Sequence, residues 1–268
     1  MKIQDSTGIF AWLARAGLDN MSELDLLTGF AERCNAIGLR LTRAVTLMDT
    51  LHPTWEGRAY HWRSDGSVTD AVVEYGSSDS GNTGDTWRRS ILFRMLEDGS
   101  EEFHTRLDEQ SISQFALLPE LMAKGHTGHL ALIQRFAREG TLGGMDAFYS
   151  TWTTDAPGGF SPETLEAMRQ LVPALGLATK AAALTWIVGT VAEVYLGRDA
   201  SRRVLAGQIT RGVSERIGAV LWFSDLRGFT TITDTAAPEE IIPLLNDYAE
   251  AVIAAVHEEG GDVLKLIG

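Results

Sequence analysis

The apolar residues of "NMSELDLLTGFAERCNAIG" fall at helical spacing, with Leu24, Leu27, Phe30, Ala31 and Cys34 near i, i+3, i+7 and i+10. Gly38 closes that segment, and the first forty residues read as helices. From there the period shortens. "LRLTRAVTLMDTL" and "GRAYHWRSDG" carry β-branched and aromatic residues on either side of a Pro-Thr-Trp-Glu-Gly turn, which predicts two antiparallel strands. "DAVVEYGSSDSGNTGDTW" begins as a strand and becomes rich in Ser, Gly, Asp and Asn, which predicts an exposed loop. "RRSILFRMLEDGSEEFHTRL" fits a strand and a helix equally, whereas "ISQFALLPELMAKG" reads as a helix. "GHLALIQRFAREG" and "MDAFYSTWTTD", joined at "TLGG", form a second hairpin. A long helix then follows Ser161 as its cap, with Pro173 as a candidate kink.

Composition narrows the function classes. The chain has 268 residues, 44% hydrophobic and 22% charged, enough for one large or two ordinary domains with their own cores. Its formal net charge of −13 disfavours nucleic acid as a partner, because a phosphate-backbone binder needs a basic surface. A nucleotide held through a local metal site stays compatible with that charge. Cys34 is the single cysteine, so no intramolecular disulfide forms and a reducing compartment fits; its surroundings predict a small buried hydrophobe. The N-terminus lacks the pattern of a signal peptide. The best membrane candidate, Ala181 to Ala192, is twelve residues, short of the roughly 20 a span needs. The expectation is a cytoplasmic protein with no membrane segment.

Helix, two strands, helical insertions, hairpin and closing helix make an α+β, sensor-like order. That order, with "TDAPGGFSPETLEAMRQLVPAL" as a Pro-Gly-Phe turn entering the last helix, resembles the GAF family of ligand-binding domains. A PAS-like sensor is the alternative. The resemblance implies a GAF-like domain over residues 1–176 with a small-molecule ligand whose identity is not legible. His61 with Trp62, and the pair His126 and His129, are candidate pocket or metal residues. An i, i+3 pair without a nearby third ligand favours ordinary core or loop histidines. Trp55, Trp62, Trp87 and Trp152 read as core rather than as an aromatic cage.

Residues 177–213 read as a helical connector. Leu177, Leu184, Ile187, Val191 and Val194, with Lys180 in the same stripe, alternate steps of three and four. That seam suits packing against a second copy, or against the chain's own domain. After a break at Gly197, "SRRVLAG" predicts a short helix.

The last segment carries the chemistry. "RIGAVLWFSDLRGFT" predicts a strand at Ala219 to Phe223 inside a core, with Asp225 at its exposed end and a helix after Gly228. A carboxylate placed before free helix N–H groups can seat Mg²⁺ and phosphate oxygens; taken alone, these residues fit equally an Asp that ends a strand in a turn. A long helix follows Pro238, with an apolar stripe of Ile241, Leu244 or Leu245, Tyr248, Val252, Ala255 and Val256, and "DVLKLIG" begins a new strand. "FSDLRGFT" followed by "GGDVLKLIG" resembles the opening half of class III adenylate/guanylate cyclase catalytic domains, over residues 214–268.

The resemblance implies a truncated, ferredoxin-like βααβ start. Asp225 would be the first of two metal-binding aspartates, and the Leu226 carbonyl would help hold a second Mg²⁺ or Mn²⁺. Gly228, Phe229 and Thr230 would lie along the triphosphate. Lys265, in a K-x-x-G pattern, would read the purine base, and Lys donates to adenine N1 but has nothing to offer guanine N1–H, which favours ATP. The family's second aspartate would follow Gly268, so the chain as it stands is expected not to cyclise ATP, while its parent would be a sensor-regulated, homodimeric adenylate cyclase. The alternative is a non-enzymatic small-molecule-binding module that dimerises.

Overall fold

Caps and glycines in the sequence set several helix ends. Ser22 Oγ accepts from the Asp25 N–H at 3.2 Å and opens α2 (Glu23–Ala36), behind α1 (Ile3–Leu18). Ser90 Oγ accepts from the Phe93 N–H at 3.1 Å and opens α4 (Ile91–Asp98), and Gly99, at φ 71°, ends it. This resolves the ambiguous 88–107 stretch into a helix followed by β4 (Glu102–Arg106). The computed structural model describes residues 3–52, 55–76, 81–109, 115–136, 145–209, 220, 222, 226–261 and 263. The chain divides into two units, Met1–Val188 and Gly189–Gly268.

The first unit is α+β. Strands β1 (Leu41–Asp49), β2 (Gly57–Arg63), β3 (Val72–Tyr75), β4, β5 (Gly128–Arg135) and β6 (Ala147–Thr154) form one antiparallel sheet in the order β3-β2-β1-β6-β5-β4. One sheet face, with Ala44, Trp62, Leu130, Phe148 and Trp152, packs against α1, α2 and α6 (Pro162–Leu196) through Leu13, Phe30, Met168, Leu171 and Leu175. The other face, with Ala131, Ile133 and Tyr149, meets α4 and α5 (Leu117–Ala123) through Leu92, Met95, Leu118 and Leu121.

Three expectations for this unit change. The stretch predicted as a loop contains α3 (Gly81–Arg88), because Trp87 packs edge-on against Phe93 and Tyr149 and tertiary contact overrides the weak helix propensity of Gly, Asn and Thr. The helix predicted from residue 112 is described from Leu117, and the turn at 141–144 lies outside the described residues. The connector seam is not uniformly exposed: Ile187 is 1% exposed, while Leu177 is 70% and Val194 54% exposed. The outward line of α6 within that unit is instead Leu177, Ala181, Leu184 and Val188, still at steps of four, three and four.

Helix α6 runs on through Pro173 and begins at the Ser161 cap, whose Oγ accepts from the Thr164 N–H at 3.2 Å. By length and composition alone it is long and apolar enough to cross a membrane. The twelve-residue estimate stopped at Lys180, whose ammonium lies 4.1 Å from the centre of the Phe136 ring. Much of the helix before that point is core.

In the second unit, α7 (Arg198–Leu205) starts three residues earlier than predicted, directly after Gly197 at φ 76°. Helices α8 (Phe229–Thr235) and α9 (Pro238–Glu258) follow. The apolar stripe of α9 is half-buried rather than buried, and Ala255 is exposed. Of the strand predicted at 219–223, Val220 is 89% and Trp222 70% exposed and neither pairs, while 219, 221 and 223 lie outside the described residues. Among the described residues this unit offers no strand for them to pair with.

Candidate functional site

Strand alternation and register bring an unusual polar row together in the first unit. Arg43 on β1 stands opposite Arg63 on β2 and Thr153 on β6. Thr153 stands opposite His129 on β5, which stands opposite Thr105 on β4. Arg63, Arg43, Thr153, His129 and Thr105 therefore cross five strands in line, on the face that also carries Ala131, Ile133 and Tyr149. The neighbouring row, His61, Val45, Thr151, Ala131 and Phe103, is mostly apolar.

His129 is fully buried, and neither ring nitrogen has a hydrogen-bond partner among the described residues. Burial first, then the nearby Arg43 and His126, lower its pKa to about 3, so the ring is neutral near pH 7. The Nη1 of Arg43 is also buried and without a partner among the described residues. Burial and then Arg63 lower the Arg43 pKa to about 10, with Glu120 opposing; the guanidinium stays charged. His126 Nδ1 lies 2.8 Å from Thr42 Oγ1 and 3.3 Å from Thr153 Oγ1, which ties it to the row. Its pKa is lowered by burial, then by Arg43 and Arg63.

A cavity of about 400 Å³ opens at this end, lined by Thr42, Arg63, Ser64, Lys124, His126 and Asp155 among others. Asp155 is already paired with Arg40 at 2.9 Å, and Asp65 on the same rim accepts from Ser67 at 2.7 Å. The rim therefore carries Arg63 and Lys124 together with the ionised carboxylate of Asp65, while Asp155 is offset by Arg40.

The other end of the same face is acidic. The Tyr75 hydroxyl donates to Asp49 at 2.7 Å, crossing β2 at Gly57, where a Cβ would overlap that hydroxyl. The Tyr149 hydroxyl donates to Asp146 at 2.9 Å. Burial raises the Asp49 pKa to about 6; Tyr75 opposes this, and Glu56 and Asp146 add to it. A second cavity of about 430 Å³ lies among Ile91, Arg94, Met95, Asp98, Phe103 and Phe115.

The remaining candidates from sequence sort as follows. Trp62 and Trp152 are core, Trp87 packs on the second core, and Trp55 stacks on His52 at 3.8 Å. His61 is half-buried with its pKa lowered, first by burial. Among the described residues no group of three or more His, Cys, Asp or Glu could hold a metal ion. Cys34 is buried, and burial pushes its thiol pKa well above the usual range. Sequence reading missed Arg43, Arg63, Asp49 and Tyr75. The signal was present for the arginines: both sit at alternate positions of paired strands, in "LTRAV" and "HWRSD".

In the second unit, Asp225 and Lys265 lie outside the described residues. Gly228, at φ 72°, precedes α8, so a helix starts at Phe229 as expected. The Leu226 carbonyl accepts from the Phe229 N–H at 3.1 Å, and the Gly228 carbonyl accepts from Ile232 at 3.0 Å. Two groups expected to face a metal and a triphosphate thus pair with each other. A carbonyl keeps a second lone pair, whereas the Phe229 N–H would have to open to meet phosphate. Thr230 is exposed, and its carbonyl accepts from the Thr233 hydroxyl at 2.9 Å.

No family model matches the chain. It is 31% identical over 80 residues to photoactivated adenylate cyclase subunit beta of Euglena gracilis and to that of Euglena longa. Those residues are 30% of this chain and 9% of each relative's length. Among solved structures it is similar to the GAF domain of a two-component sensor histidine kinase from Bacillus halodurans, at 13% identity and TM-score 0.43, covering 60% of this chain and 95% of that one. It is similar also to the phycoerythrobilin-bound GAF domain of a cyanobacterial phytochrome, at 13% identity and TM-score 0.43, covering 69% of this chain and 99% of that one.

Proposed function

We propose that the chain is the sensor and the opening part of the catalytic domain of an adenylate cyclase, which converts ATP to cyclic AMP and pyrophosphate. The observation that carries this reading is the 80-residue similarity to photoactivated adenylate cyclase subunits. Two features support it: α8 starting directly after Gly228, inside the "FSDLRGFT" motif, and α9 starting at Pro238, where its apolar stripe calls for a helix.

In this reading Asp225 and the Leu226 carbonyl hold Mg²⁺ or Mn²⁺, and the free lone pair of that carbonyl fits the role. When bound, the ions offset triphosphate charge and activate the ribose hydroxyl. Gly228, Phe229 and Thr230 orient the triphosphate, and Lys265 donates to the adenine ring. The first unit senses a small molecule, and the outward line of Leu177, Ala181, Leu184 and Val188 meets its copy in a homodimer. The protein acts in the cytoplasm.

The test is cyclic AMP formed from Mg·ATP or Mn·ATP by the gene product that contains this chain. Asp225→Ala is expected to abolish it; an unchanged rate in that variant would sink the assignment. A second reading, a non-enzymatic small-molecule-binding module, draws on the polar row of the first unit. In that case Mg·ATP would leave the melting midpoint unchanged, since only binding to the folded state raises it.

A further inference from the structure

We propose that the first unit binds the oxyanion of a small molecule, a carboxylate or phosphate group, at the facing pair Arg43 and Arg63. Three independent observations converge there. Arg43 and Arg63 stand directly opposite on paired strands, an arrangement that like-charge repulsion disfavours unless something between them is negative. The buried Nη1 of Arg43 and both nitrogens of the fully buried His129 lack partners among the described residues, although buried donors and acceptors are almost always satisfied. Thr153 lies between Arg43 and His129 in register, which adds a hydroxyl to the same line.

The surrounding charges point the same way. Lys124 and His126 line the adjoining cavity with Arg63. Of the nearby acids, Asp155 is engaged by Arg40, Glu120 is exposed on α5, and Asp65 lines the cavity as a carboxylate near Arg63. This surplus of cations sits in a chain whose net charge is −13, so it is local and not a property of the whole surface. An arginine fork matches a carboxylate or a phosphate with two parallel N–H donors. A cavity of about 400 Å³ suits a metabolite-sized ligand. The oxyanion would enter beside Arg63, which lines the cavity, bridge to its cross-strand partner Arg43, and give the unmet Nη1 of Arg43 an acceptor.

This inference deepens the sensor reading of the first unit and is independent of cyclase chemistry, because it is read by binding alone. The experiment is calorimetric titration and thermal melting of residues 1–268 with inorganic phosphate and, separately, succinate, each against sodium chloride at matched ionic strength. At least one anion is expected to bind and raise the midpoint. Phosphate alone would identify a phosphate-bearing ligand, succinate alone a carboxylate. Arg43→Met is expected to fold at least as stably without ligand, since it removes a half-buried charge beside Arg63 whose Nη1 has no partner among the described residues, and to weaken binding by about tenfold or more. Arg63→Met, at a half-buried site, is expected to weaken binding similarly and keeps the test decisive should the first variant misfold. Arg94→Met, beside the other cavity, should bind as wild type. The proposal is overturned if neither anion binds beyond the chloride control, or if Arg63→Met binds as tightly as wild type.

Discussion

Asp49→Asn should stabilise the first unit, by an amount that depends on pH in a specific way. Asp49 is half-buried, accepts from Tyr75, and has Glu56 and Asp146 nearby, so its folded pKa is raised from an ordinary 3.8 to about 6. Between those values the folded state binds more protons than the unfolded one, so stability falls as pH rises. Below pH ~4 both states are protonated and nothing is lost. Above pH ~6 the full penalty is present, about 2 to 3 kcal/mol once partial solvent screening is allowed for. Asparagine keeps an oxygen that accepts from Tyr75 and carries no charge. Urea melts followed by tryptophan fluorescence at pH 4, 6 and 8 would show the two proteins alike at pH 4 and the variant ahead at pH 8. A variant less stable at pH 8, or a gap that does not change with pH, would refute the reasoning.

Two further perturbations probe the sheet that carries the site. Trp152→Ala empties a fully buried position whose ring lies 5.4 Å from Phe30 and whose Nε1–H donates to Ser150 at 3.0 Å; it should cost about 3 to 5 kcal/mol in urea unfolding, and a loss under about 1 kcal/mol would place the core elsewhere. Gly57→Ala puts a Cβ onto the Tyr75 hydroxyl and 2.7 Å from the Met48 carbonyl; it should cost about 1 to 3 kcal/mol, with partial rescue by Tyr75→Phe, and the absence of any loss would mean Tyr75 does not cross β2 there.

What the sequence disclosed depended on whether the signal was local. The Ser22 and Ser161 caps and Gly38 are local, and the helices beside them fall where the residues predict. The Ser90 cap and Gly99 were equally present, but the apolar run between them fits both periods, and only packing on the second core decides for a helix. α3 was illegible because Trp87 fixes it through residues distant in the chain. The connector stripe left two partners open, because a 3.5-residue stripe does not say which of its members the chain's own domain takes; Ile187 is taken. The row of Arg43, Arg63 and His129 is a product of strand register, which alternation alone does not fix. The segment that resembles a cyclase is the reverse case. Its motif was read residue by residue from the sequence, while the geometry shows the Leu226 carbonyl and the Phe229 N–H bonded to each other.

The most direct test of the central claim is product identity. The gene product that contains this chain, given equal concentrations of ATP and GTP with Mn²⁺, is predicted to release cyclic AMP with little cyclic GMP, because Lys265 suits adenine. No cyclic nucleotide, or predominantly cyclic GMP, would contradict the account.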